Sequence, residues 1–237
     1  MRRVVAVVVV CVAAVFATAA AGTTTTAAGT SADQQLARSG VLQPTDFPAG
    51  WQQTPRGPTS DSALDAQAAK IPSCKPFRAF TATNRRQPRA QSENFDEGQS
   101  SVTNTVSVFP STTQAVAAIA TFRDARVPGC LERVFTAVYR KELAMKPKTA
   151  KRLKSVTTTL GRENGIRLGD EAVVYQGTVD VGLKDGTRLT TGLGLVAVRA
   201  GRALAGYSYT SDKDISAALQ PAIVATVTRL QRAAPTT

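Results

Sequence analysis

The stretch Glu171–Thr210, EAVVYQGTVDVGLKDGTRLTTGLGLVAVRAGRALAGYSYT, decides the fold. Val173, Tyr175, Val179, Val181 and Leu183 fall on one parity and Gln176, Thr178, Asp180 and Lys184 on the other, which is the period of a strand with one core-facing side. Asp185 and Gly186 supply the positive φ angles of a tight reversal, and RLTTGLGLVAV returns as a second strand. Gly201 turns the chain again, and ALAGYSYT completes an antiparallel meander.

On the C-terminal side, Asp214 is placed to cap a final helix carrying Ile223, Val227 and Leu230, with Pro221 near its start. On the N-terminal side strands begin at Val156, and before them lie two helical stripes. PSTTQAVAAIATF pairs Ser111 with Gln114 in capping-box relation and sets Ala115, Ala118, Ile119 and Phe122 on one face, with Pro128 and Gly129 stopping it. The next helix starts at Cys130 and repeats the stripe with Leu131, Val134, Phe135 and Val138. SSVTNTVSVF reads as a strand with Val102, Val106 and Val108 inward and a wet face opposite. SDSALDAQAAKIP is a helix ended by Pro72, and LARSGVLQPTDFPAGW is a short helix and a Pro-punctuated turn with Phe47 and Trp51. The class is α+β: an antiparallel sheet packed with three to four helices.

Outermost is MRRVVAVVVVCVAAVFATAAAG, a positive start, an apolar core and a small-residue end, which is the order of an export leader. Ala17 with Ala19, and Ala19 with Ala21, frame cleavage after Ala19 or Ala21. Cys11 follows Val10, not the small residue that lipidation needs, so it leaves with the leader. A retained anchor is the rival, since Val4 to Ala21 just reaches spanning length. The organisation is therefore a leader over 1–21, a Thr/Ala/Gly tether over 22–33 and one domain over 34–233, long enough to bury a real core. Both readings of the leader place that domain outside the cytoplasm.

Composition excludes more than it includes. The 237 residues contain no histidine, so a Ser-His-Asp triad, a Cys-His pair, His-ligated zinc and His-ligated haem are all unavailable. Cys74 and Cys130 remain once Cys11 is set aside, an even count that suggests a disulfide outside the cytoplasm and locks a helix's first turn to the Cys74 segment. Two free thiols are the alternative; a metal is disfavoured without histidine, and no cofactor is expected.

GLGLVA at Gly192–Ala197 matches a dinucleotide fingerprint, but it sits inside a hairpin strand instead of opening a helix, so its glycines mark a bend or close approach in the sheet. The carboxylate pairs Asp96/Glu97, Asp170/Glu171 and Asp212/Asp214 stand beside turns or helix starts, where acids cap and solvate. The net charge is +12, and Arg140, Lys141, Lys146, Lys148, Lys151, Arg152 and Lys154 gather against Glu142 alone. That segment is a candidate anion-binding surface for lipid headgroups or wall polymer; a solvated linker is the bland alternative. Nucleic acid is disfavoured for lack of interleaved aromatics. Trp51, Tyr207 and Tyr209 are candidates for a ligand cleft, with core plugging the alternative for Trp51.

TDFPAGW, the Cys74 to Cys130 spacing, GDEAVVYQG and VAVRAGRALAGYSYT before a terminal helix resemble exported actinobacterial α+β envelope proteins and lipoproteins. That group is similar to the extracellular sensor domains of actinobacterial serine/threonine kinases. The resemblance implies a non-catalytic envelope domain whose cleft holds an unidentified small ligand. This chain departs from the kinase sensors in having one cysteine pair where they have two, and in lacking a kinase segment and a lipobox. The expected function is thus ligand-binding or sensor-like. One alternative is an adaptor making peripheral contact with anionic lipid or wall polymer through 140–154. A carboxylate-dependent hydrolase is the other.

Overall fold

The structure is a computed structural model that describes residues 27–56 and 61–233. Its strands run β1 (Gln52–Thr54), β2 (Arg89–Gln91), β3 (Asn94–Glu97), β4 (Ser100–Val108), β5 (Leu153–Glu163), β6 (Glu171–Leu183), β7 (Arg188–Ala200) and β8 (Ala203–Ser211). The helices are α1 (Ala27–Ser39), α2 (Asp61–Ala69), α3 (Lys75–Arg85), α4 (Thr112–Phe122), α5 (Val127–Ala144), α6 (Pro147–Arg152) and α7 (Ser216–Ala233). All strand pairs are antiparallel in one eight-stranded sheet of order β1-β3-β4-β8-β7-β6-β5, with β2 also paired to β4. The meander β5 to β8 is as its alternation implies, and its turns place Gly186 at φ 86° and Gly201 at φ 57°, where only glycine is unstrained.

The sheet separates two cores. On one face Val173, Tyr175, Val179, Val181 and Leu183 of β6 join Leu193, Leu195 and Ala197 of β7 beneath α4 and α5. Tyr175 donates to the Phe122 carbonyl at 2.7 Å, and its ring meets Phe122 edge-on. Cys74 and Cys130 are bonded with Cα atoms 5.0 Å apart, tying the short 3-10 turn Pro72–Cys74 to the first turns of α5. On the other face Val174 of β6, Val196 and Val198 of β7, and Ala205 and Tyr207 of β8 pack beneath α1 and α7. β5 ends the sheet, and α5 occupies that edge: Thr136 Oγ1 accepts from Thr158 N–H at 3.1 Å and Glu132 Oε1 from Leu160 N–H at 2.8 Å. Side chains thereby satisfy backbone donors that would otherwise recruit another strand.

Several expectations need correction. There are seven α-helices among the described residues, not three to four. α3 was hidden behind its prolines: Pro76 sits in the first turn, where a missing N–H costs nothing, and Phe77, Phe80 and Asn84 then repeat at helical spacing. For the same reason Pro128 and Gly129 lie inside the first turn of α5 and do not precede it, while α4 already ends at Phe122. α6 forms within the basic segment. The tether assigned to 22–33 is too long, because α1 starts at Ala27 and Asp33 accepts from Arg202 Nη2 at 2.5 Å. β4 has no wet face: all nine positions are buried, with Ser100 Oγ meeting Ser211 Oγ at 2.7 Å and Thr103 Oγ1 meeting Ser208 Oγ at 3.1 Å across the β4–β8 pair, while Ser101 Oγ and Thr105 Oγ1 are buried without a partner among the described residues. The leader over 1–21, with Cys11, lies outside the described residues.

Candidate functional site

A cleft of about 370 Å³ opens between α7 and the sheet, with residues Gly165–Leu168 of the β5–β6 loop as its lip. Register explains its shape. Residues directly opposite one another share a face, so three cross-strand rows run beneath the cleft, which touches Val174, Val196, Gln176, Tyr209, Gly192 and Ser211 of them. Val174, Val196 and Tyr207 make an apolar row, of which Val174 and Val196 reach the cleft while Tyr207 stays buried. Gln176, Gly194 and Tyr209 come next, then Thr178, Gly192 and Ser211. Above this floor α7 supplies Leu219 and Ile223, while its start brings Lys213, Asp214 and Ser216 to the polar end. The cleft is therefore graded from aliphatic at one end to amide, hydroxyl and charge at the other.

The glycines of GLGLVA create the space. A Cβ at position 194 would collide with the ring of Tyr209, so glycine there lets the tyrosine lie flat against β7. Burial, reinforced by the Asp214 and Glu163 carboxylates, pushes the Tyr209 phenol up to about 12, leaving it a neutral hydrogen-bonding group. Asp214 Oδ1 accepts from Ser216 N–H at 2.8 Å, and that backbone bond holds its carboxyl below the usual range. Lys213 Nζ is 2.6 Å from Glu97 Oε2. Both charges at the head of α7 are thus engaged, whereas Arg167 on the lip is exposed and makes no ion pair among the described residues. Ile166 beside it is one of few large apolar side chains left in water, at 45% exposure.

Of the aromatic cleft candidates, only Tyr209 lines this cleft. Tyr207 shares its parity but sits two residues deeper, fully enclosed in the core beneath α1 and α7. Trp51 stacks on Phe47 at 4.9 Å, and Phe47 stacks on Phe95 at 4.8 Å, so this trio closes the sheet's β1–β3 side. The basic residues Arg140 to Lys154 lie elsewhere, at the sheet end that carries the β6–β7 turn. Residues 165–168, Gln176 and Leu219 were not foreseen, since nothing in a single sequence shows which aliphatics of an amphipathic helix stop short of the sheet.

Five of the six carboxylates in the three pairs have structural partners, Glu97 in Lys213 and Asp214 in the Ser216 N–H. Asp96 Oδ2 accepts from Thr54 Oγ1 at 2.5 Å, and Asp170 accepts from Arg199 Nη1 at 2.9 Å and Gly201 N–H at 2.6 Å. Glu171 pairs with Arg123 and Arg199. Among the described residues, no group of three or more His, Cys, Asp or Glu side chains could hold a metal ion.

What these features define is an α+β domain with a graded cleft beneath its C-terminal helix. No family model matches the chain, and no curated protein matches it. Among solved structures, the extracellular domain of PknH from Mycobacterium tuberculosis is similar, with a TM-score of 0.43 and 10% identity over 84% of this chain and 96% of that chain. This is a weak likeness of fold, and no residue or activity is carried across from it. Among the described residues, no helix is long and apolar enough to cross a membrane.

Proposed function

We propose that this protein is an exported, non-catalytic binding domain that holds a small amphiphilic molecule in the cleft beneath α7. The observation that carries this reading is the graded floor and roof: Val174, Val196 and Ile223 toward one end, Ser211, Asp214 and Ser216 toward the other, with Gln176 and Tyr209 between them. Pockets of a few hundred Å³ with an apolar body and a few convergent polar groups suit small ligands. Arg167 is the cation free to meet an anionic head, and Ile166 on the same lip would cover the adjoining chain.

The test is titration with a dansyl-labelled medium-chain fatty acid, whose fluorescence rises on entering an apolar site. Saturable binding at one site is expected. Val196→Phe and Ile223→Phe fill the apolar end and should weaken binding at least about tenfold; the overpacking itself costs about 1–3 kcal/mol, which thermal unfolding reads separately. Arg167→Gln leaves the core untouched and should weaken a carboxylate probe several-fold more than its methyl ester. A folded, filled variant that binds as the native protein does would remove the cleft from consideration.

Export is tested separately. Intact mass of protein recovered from envelope or medium should show a chain beginning at Ala20 or Gly22. Recovery of chain still carrying Met1–Ala19 would show that the leader is retained.

A further inference from the structure

The basic segment does not act alone. Lys184 N–H donates to the Arg152 carbonyl at 2.8 Å and Leu153 pairs with Leu183, so the β6–β7 turn lies against the α6–β5 junction. The turn brings two further exposed cations, Lys184 and Arg188, to the same end of the molecule. Segments 140–154 and 184–188 together hold nine basic residues and two acids, Glu142 and Asp185, so seven of the twelve net positive charges sit there. Asp185 is already taken by Arg152, at 2.6 Å. Among the described residues, Lys141, Lys148, Lys151, Lys154, Lys184 and Arg188 are exposed and make no ion pair.

A second feature falls in the same place. Met145, the C-cap residue just after α5, is 65% exposed, the most of any large apolar side chain described. It stands in the chain between Lys141 and Lys148, and exposed methionine is a side chain that adaptable apolar binding surfaces use. Cations around an exposed apolar side chain match a surface that is anionic on the outside and hydrocarbon beneath. A soluble polyanion would use the cations alone.

From this juxtaposition we infer that the α5–α6 corner and the β6–β7 turn form a docking surface for anionic phospholipid membranes, with Met145 entering the interface. The surface is distinct from the α7 cleft and does not depend on it. It would hold the domain against the outer leaflet whether or not the cleft is filled.

The experiment is flotation of the leader-free protein with vesicles of phosphatidylcholine alone or with about one third phosphatidylglycerol, at low and high salt. Binding should require the anionic lipid and fall steeply with salt. Changing Lys141, Lys148, Lys151, Lys154, Lys184 and Arg188 to Gln should weaken it by at least about tenfold. The same change at six exposed cations elsewhere, Arg38, Lys70, Lys75, Arg86, Arg162 and Arg232, should weaken it far less. Met145→Ser should lower vesicle binding several-fold while leaving binding to soluble polyphosphate unchanged. Circular dichroism checks the fold of every variant. Equal binding to both vesicle types, equal loss from the two sets of six, or indifference of vesicle binding to Met145→Ser would each overturn the proposal. Ile223→Phe, which blocks the cleft, should bind vesicles normally, so failure here is separable from failure of the ligand site.

Discussion

Replacing both Cys74 and Cys130 by alanine is expected to lower stability to urea by about 4 kcal/mol, the chain-entropy value for the loop that the bond closes across 56 positions. That loss is a large share of the stability of a single domain. The bond matters for where it sits as well as for its loop. Both cysteines have no solvent exposure, and they join the turn before α3 to the start of α5, the two elements that flank the α4 side of the core. Alanine keeps the site apolar, so the difference reports the cross-link more than a new buried hydroxyl. A double variant within about 1 kcal/mol of the native protein would mean that the α2–α5 layer holds itself together without the bond.

Arg229→Met should be as damaging, by about 3–5 kcal/mol, because it strands a buried carboxylate. Arg229 Nη1 and Nη2 lie 2.6 and 2.8 Å from the two oxygens of Asp46, whose side chain is only 3% exposed. The same guanidinium donates to the Ser39 carbonyl at 2.9 Å and the Val41 carbonyl at 2.8 Å. One side chain thus fastens α7 to the end of α1 and to the turn that follows it. Lysine cannot reproduce the fork, so Arg229→Lys should recover little. Adding Asp46→Leu to Arg229→Met should return part of the loss, since the unpaired charge is then gone. Additive losses in the double variant would show that the carbonyl contacts, and not the ion pair, carry the anchoring.

The meander was legible because β6 alternates in sequence and the turns after β6 and β7 carry Gly186 and Gly201. The core stripes of α4 and α5 were legible for the same kind of reason, as Ala115, Ala118, Ile119 and Phe122 are all buried. What escaped was whatever depends on partners far away in sequence. β4 looked half wet because its Ser and Thr positions are polar, and only its place between β3, β2 and β8 buries them. β1, β2 and β3 are three or four residues long, too short to show a period.

The site was less legible than the fold. Tyr209, a cleft candidate in the sequence, does line the cleft, and the glycines of GLGLVA were read as a bend or a close approach, the second of which Gly194 makes with Tyr209. The cleft itself arises from a gap between α7 and the sheet, and a gap leaves no residue pattern. Tyr207 and Tyr209 are indistinguishable by parity; only the packing of α1 and α7 encloses one and leaves the other at the cleft.

The most direct test is amide chemical-shift mapping during titration of the isotope-labelled, leader-free protein with lauric acid below its aggregation concentration. The account predicts saturation at one equivalent, with changes concentrated in 165–168, 174–177, 192–196, 209–216 and 219–223, and loss of those changes in Ile223→Phe. Shifts that never saturate, or that gather in 140–154 and 184–188 with the cleft residues unmoved, would contradict it.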